Sequence, residues 1–207
     1  MGWYDLFALV YDRALEKLYY DCRARTAEIL DVDPGATVLD LACGTGQNFP
    51  HLVDKIGSEG LLIGIDRSRG MLKKAQQRVR EQAWDNVVLA HRDIRTVALP
   101  DLETACGGPV QLDRILCVLG YTVIPDWERV LETTFEWLRP GGRYVVVDVH
   151  TDIRDLRTWA VEAVTRTDLS REVWKPLEHL GSSFEMEYWP GSRRAYSGQV
   201  YLACATK

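Results

Sequence analysis

From residue 36 onward, short apolar runs alternate with stretches whose apolar residues return every three to four positions. No other feature of the chain narrows its possible folds as far. A short apolar run bounded by turn residues reads as a strand covered on both faces, and a three-to-four repeat reads as a helix with one apolar stripe. The strand candidates are residues 36–41, 61–65, 87–90, 112–119 and 143–149. Helical patterns fall near 48–56, over 69–82 and over 126–138, the last beginning just after Pro125 with Asp126 as the expected N-cap. Pro140-Gly141-Gly142 is the expected turn before the fifth strand, and 153–167 reads as a further helix. Residues 183–189 and 195–206, separated by Pro190-Gly191-Ser192, read as a β-hairpin. The first 30 residues are helical in pattern and are stopped by Asp33-Pro34-Gly35. Such an order gives an α/β fold, with a mostly parallel sheet, right-handed crossovers, helices on both faces and an antiparallel C-terminal hairpin.

Composition then removes whole classes of function. The 207 residues are 46% hydrophobic with a net charge of −5, which suits one folded domain rather than a disordered chain. Lys and Arg form no block, so a nucleic-acid partner is not expected. The five cysteines (Cys22, Cys43, Cys106, Cys117 and Cys204) are odd in number and none is spaced C-x-x-C. No metal site or redox pair is read from them, and a reducing, cytoplasmic location is expected. No apolar run approaches the roughly 18 residues that span a bilayer, and the first residues lack the basic-then-apolar order of a secretory signal. Nothing in the sequence fixes an oligomeric state.

The first strand ends in Asp40-Leu41-Ala42-Cys43-Gly44-Thr45-Gly46-Gln47-Asn48. Two glycines without Cβ atoms let the backbone turn sharply and let a ligand approach it, and the free N–H groups of the helix that follows favour an anionic ligand group. A dinucleotide and S-adenosylmethionine compete for such a turn. The dinucleotide pattern wants a third glycine where this chain has Phe49, and the acid Asp40 would repel a pyrophosphate but suits a cationic amino-acid moiety. Both points favour S-adenosylmethionine. Asp66, which ends the second strand, is placed to accept from both hydroxyls of a ribose, with a helix N-cap as its plainer role. Asp93, after the third strand, is placed to take an adenine amino group while Ile94 packs on the ring; its plainer role is to cap a loop.

Four segments in order resemble the class I S-adenosylmethionine-dependent methyltransferases over about residues 36–150. Val38-Leu39-Asp40-Leu41-Ala42-Cys43-Gly44-Thr45-Gly46 is similar to their first motif, and Gly64-Ile65-Asp66-Arg67-Ser68-Arg69-Gly70-Met71-Leu72 to their second. Arg92-Asp93 resembles the third, and Leu138-Arg139-Pro140-Gly141-Gly142-Arg143 the turn before their fifth strand. Ala42 departs from the pattern, standing where many members carry Gly. The resemblance implies a Rossmann-like seven-stranded sheet whose last strand is antiparallel. It implies one domain over 1–207: a helical N-terminal cap at 1–32, a cofactor-binding core at 36–150, and a C-terminal helix and β-hairpin at 151–207. It places Asp40, Gly44, Thr45 and Gly46 around the methionine part of the cofactor, with Cys43 and Asn48 in the same turn. It places Asp66 on the ribose beside Arg67, and Asp93, Ile94 and Met71 around adenine. Cys117 and Val118 match positions whose backbone faces the cofactor amine.

Shorter matches at Gln47-Asn48-Phe49-Pro50, Ile124-Pro125-Asp126-Trp127 and Tyr11-Asp12 are similar to small bacterial phosphatidylethanolamine N-methyltransferases. Ubiquinone/menaquinone-type enzymes are similar too. The implied activity is methyl transfer to a small-molecule or lipid-headgroup acceptor, with N-, O- and C-methylation all open. Its rivals are a protein that binds the cofactor or S-adenosylhomocysteine without turnover, and an NAD-type oxidoreductase. His150, at the end of the fifth strand, is the base candidate because imidazole titrates near neutral pH, and Tyr121 follows the fourth strand. The aromatic N-terminal segment reads as a helix packed on the sheet, as a lid with Tyr4 or Tyr11 near the sulfonium, or as a transient membrane-surface contact. Trp159, Trp174 and Trp189 are expected in the core or lining an apolar acceptor pocket.

Overall fold

The computed structural model describes residues 19–153, 155–190 and 198–207. The apolar run after Gly35 forms β1 (Thr37–Leu41), buried from Val38 onward. Strands β2 (Leu61–Asp66) and β4 (Leu112–Val118) flank it in parallel, so that Leu39 sits between Ile63 and Ile115. β3 (Val87–His91) extends the sheet beyond β2, and β5 (Leu138–His150) extends it beyond β4. β7 (Gln199–Thr206) runs antiparallel between β5 and β6 (Ser183–Tyr188). The order is β3-β2-β1-β4-β5-β7-β6, the seven-stranded mixed sheet expected from the sequence.

Helices cover both faces. On one face, α1 (residues 19–29), α2 (Phe49–Ile56) and α3 (Arg69–Glu81) bury Ala27, Leu52, Ile56 and Ala75 against the sheet. On the other, α4 (Leu99–Cys106), α5 (Trp127–Glu136) and α7 (Trp174–Leu180) bury Leu102, Leu131, Phe135 and Leu177. The sixth helix, α6 (Leu156–Thr165), follows β5, with the Asp155 carboxylate accepting from the Thr158 N–H at its start. Buried Arg114 pins the end of α1, donating to the carbonyls of Leu30 at 2.9 Å and Asp31 at 2.6 Å.

Several local expectations are corrected. Helices α4 and α7 were not legible in the sequence, because eight and seven residues with one buried apolar side chain apiece show no stripe. Helix α5 starts at Trp127, and Asp126 before it has φ 52° and no side-chain capping bond, so it is not the cap its residue type suggested. β5 begins at Leu138 and runs through the expected Pro140-Gly141-Gly142 turn, which survives as a register shift between Leu112 and Arg114. Trp159 is neither in the core nor in a pocket: it is 68% exposed on α6. Among the described residues no helix is long and apolar enough to cross a membrane, and no group of three or more His, Cys, Asp or Glu could hold a metal ion.

Candidate functional site

A cavity of about 650 Å³ opens at the carboxyl ends of β1, β2, β3 and β4. The strand order switches here, the connection after β1 running toward β2 and that after β4 toward β5, and this crevice is where parallel α/β sheets take ligands. Its walls are the turn after β1, the segments that follow β2, β3 and β4, Arg23 from α1, and Arg166 just past α6.

The turn and β2 are joined through one carboxylate. Gly44 has φ 58°, a left-handed conformation that side chains disfavour, and nothing lies within 4 Å of where its Cβ would be. Its N–H donates to Asp66 Oδ2 at 2.9 Å, while Asp66 Oδ1 accepts from the Ser68 N–H at 2.7 Å. Burial pushes the Asp66 carboxyl above its ordinary value, and these two N–H groups oppose the shift. The Ser68 hydroxyl accepts from the Met71 N–H, so Ser68 and not Asp66 caps α3. That removes the plainer role for Asp66.

Gly46 does something different from what the resemblance implied. It does not line the cavity. It has φ 76°, and a Cβ there would lie 2.6 Å from the ring of Phe49, which is fully buried. Phe49 thus fills the space under the turn and also reaches the backbone of Gly64. The departure from the dinucleotide pattern is a packing unit between α2 and the sheet.

Asp40 is also corrected. It is fully buried, does not line the cavity, and accepts from Asn48 Nδ2 with both oxygens, at 3.1 and 2.9 Å. Asn48 Oδ1 in turn accepts from Arg23 of α1. Burial pushes the Asp40 carboxyl up to about 7, against the lowering effect of Asn48 and Arg23. Its influence reaches the cavity through Asn48, which lines it with Cys43 and Thr45.

At the β2 and β3 ends, Arg67, Met71, Asp93 and Ile94 line the cavity together. Asp93 is already paired: Arg95 donates to it through Nη2 at 2.5 Å and through Nε, and this bonding holds its carboxyl below the usual range. An adenine amino group would share that carboxylate with Arg95.

On the far wall, Val118 lines the cavity and Cys117 does not; the Cys117 thiol packs beneath Gly120. Tyr121 is turned into the core, with its hydroxyl 2.6 Å from that of Tyr144, so it is not presented to an acceptor. The segment from Tyr121 to Ile124 is clamped from two sides. Asp148 accepts from the Thr122 N–H and hydroxyl, both at 3.0 Å, and Arg171 donates to the carbonyls of Tyr121 and Ile124, both at 2.6 Å. His150 lies outside the cavity wall, with Nε2 3.1 Å from Asp152 and its ring edge-on to Trp174. Tyr11, Tyr4 and the rest of residues 1–18 lie outside the described residues.

Sequence reasoning missed Arg23, Arg69, Arg95 and Arg166 as cavity residues. Arg69 and Arg95 follow residues already singled out, so their neighbourhood was a usable signal. Arg23 and Arg166 reach the cavity only through tertiary packing and left none.

A family model described as a methyltransferase domain matches residues 32–188. A demethylmenaquinone methyltransferase of Listeria welshimeri is 31% identical over 132 residues, which are 64% of this chain and 52% of that protein. The chain spans about half the length of the curated relatives it matches. Among solved structures, phosphoethanolamine N-methyltransferase 2 of Haemonchus contortus, in complex with phosphomonomethylethanolamine and S-adenosylhomocysteine, superposes with a TM-score of 0.70 at 14% identity, covering 88% of this chain and 52% of that one. An O-methyltransferase family protein of Burkholderia thailandensis gives a TM-score of 0.73 at 11% identity, covering 97% of this chain and 59% of that one. At such identities the structural likeness speaks for the fold.

Proposed function

Because the chain belongs to the class I S-adenosylmethionine-dependent methyltransferases, we propose that its cavity holds this cofactor and that the chain methylates a small-molecule or lipid acceptor. The observation that carries the reading is the Gly44–Asp66 pair. An unobstructed turn forms one wall, and a carboxylate oriented by two backbone N–H groups stands beside it. Each Asp66 oxygen accepts one bond from the protein and keeps a second lone pair, which suits two adjacent ribose hydroxyls. Met71 and Ile94 supply the apolar faces an adenine needs, with Asp93 at its polar edge. Thr45, Asn48 and Arg23 receive the amino-acid end, where the Arg23 cation suits a carboxylate. The cavity volume lies within the ~300–1,000 Å³ range of small-molecule sites.

When bound, the cofactor supplies a methyl group on a sulfonium sulfur, already a strong electrophile. The protein's own task is to orient the acceptor and exclude water. The clamped segment from Tyr121 to Ile124 supplies a rigid far wall for that purpose. A neutral amine needs no strong base, whereas a phenol or an acidic carbon does. His150 stands off the cavity wall, so the proposal moves no proton through it. The demethylmenaquinone in the name of one relative and the phosphomonomethylethanolamine bound in another support a small-molecule or lipid acceptor.

Calorimetry with S-adenosylmethionine, S-adenosylhomocysteine and NAD tests the reading. Binding of the first two and not of NAD is expected. Binding of NAD alone would replace it with the oxidoreductase alternative. Binding of the first two with no methyl transfer to any amine, phenol or lipid acceptor would leave a cofactor-binding protein.

A further inference from the structure

Helix α6 is turned with its apolar side out. Leu156 is 85% exposed, Trp159 68% and Val164 56%, and Ala160 and Ala163 between them are exposed too. These five positions follow the i, i+3, i+4, i+7, i+8 spacing of a single helical stripe. The opposite side is largely polar and is tied down. Thr158 is buried, Val161 packs against the core, and Glu162 accepts from the Leu169 N–H at 2.9 Å. An ordinary surface helix buries its apolar stripe and exposes its polar one. Ile153, just before the helix and 46% exposed, extends the apolar surface toward the end of β5.

The stripe adjoins the cavity, because Arg166, which ends α6, lines it. The cavity has a charge pattern of its own. Among the described residues, six arginines line it against two carboxylates, Asp66 and Asp93, in a chain whose net charge is −5. Arg95 is bonded to Asp93, and buried Arg23 serves the cofactor's carboxylate, so the excess lies with Arg67, Arg69, Arg92 and Arg166, more than a cofactor that is itself a net cation calls for. An anionic surface at the mouth does call for it.

We infer that the outward face of α6 seats the chain on an anionic lipid surface, with the cavity mouth toward the headgroups, so that the acceptor is a membrane-resident lipid. Exposed Trp and Leu beside arginines are the side chains that settle at the boundary between headgroups and acyl chains. The apolar patch is on the order of a few hundred Å², short of the roughly 800 Å² per partner that a stable dimer buries. The acceptor half of the inference rests on the cofactor reading above, and the docking half does not.

The test is co-sedimentation of the full chain with phosphatidylcholine vesicles and with mixed phosphatidylcholine–phosphatidylglycerol vesicles, for the wild type and for Leu156→Glu/Trp159→Glu. The wild type should prefer the mixed vesicles, and the double variant should lose on the order of tenfold or more in partitioning, about 1.4 kcal/mol or more. Its S-adenosylmethionine affinity and melting temperature should stay unchanged, since both side chains point to solvent. Trp159→Ser, expected to lose several-fold, serves if the double variant does not fold. No binding of the wild type to mixed vesicles would overturn the docking. So would equal binding of wild type and variant, or a wild-type dimer that the variant dissolves. Vesicle binding without S-adenosylmethionine affinity would sustain the docking and overturn the acceptor half.

Discussion

The wall of the cavity at the ends of β1, β2 and β3 and the wall at the end of β4 are held by contacts of different range. On the first, Ser68 and Arg95 each reach a carboxylate two residues away, Met71 reaches Ser68 across three, and Gly44 meets Asp66 because their strands are direct neighbours. On the second, Thr122 meets Asp148 of the neighbouring strand β5 in the same way, but Arg171, beyond α6, reaches Ile124 and Tyr121 across 47 and 50 residues. The first wall follows from turn chemistry once two strands pair. The second is complete only after the segment beyond α6 has also packed. This contrast explains why the sequence displays the wall at the ends of β1 to β3 and conceals the wall at the end of β4.

Substitutions can break or sharpen the contrast. Gly46→Ala is expected to have the largest effect, about 3 kcal/mol of stability, because it adds a strained φ of 76° to a Cβ 2.6 Å from the Phe49 ring. Denaturant melts would show it, and Phe49→Leu in the same chain should restore part of the loss; no restoration would mean the ring is not the obstacle. Asp66→Ala should weaken S-adenosylmethionine about a hundredfold, near 2.7 kcal/mol, with the fold retained. Unchanged affinity in calorimetry would remove Asp66 from the ribose.

A third effect reads through pH. The Asp40 carboxyl is raised by burial from 3.8 to about 7, so the native state holds its proton over a range where the unfolded chain has released it. Its contribution to stability is therefore full below about pH 4 and is lost as pH rises through about 7. Asp40→Asn cannot titrate. Relative to the wild type it should gain roughly 2 kcal/mol between pH 5 and pH 8, and parallel melting curves at the two pH values would refute the buried proton. Arg171→Ala is expected to have the smallest effect, about 1 kcal/mol of stability. It should loosen the far wall enough to raise the acceptor KM more than it changes cofactor affinity. Equal changes in both would show that the two walls are not independent.

Much of this was readable beforehand, and the failures lie where distant elements meet. The strands were legible because a strand buried on both faces must be apolar throughout, as Val145, Val146 and Val147 are. Asp66 was legible because an acid at the end of the second strand faces whatever the turn after the first one holds. Tyr121 and Trp159 misled for opposite reasons. A tyrosine after a strand suggests an exposed hydroxyl, but Tyr144 lies within reach to bury it. A tryptophan in a helix suggests a core contact, but Thr158 and Val161 take the inner side of α6 and Glu162 binds the Leu169 N–H, so Trp159 faces out.

By itself, then, the sequence determined the α/β alternation, the sheet, the glycine turn and its acidic partner, since each depends on residue type and on spacing within one or two neighbouring elements. The tertiary structure alone decided that Arg23 and Arg166 enter the cavity, that Asp40 acts through Asn48, and that α6 shows its apolar face to solvent. Those outcomes depend on which distant surfaces meet, and hydrophobic periodicity records only that a face is apolar, not whether the chain has anything to cover it.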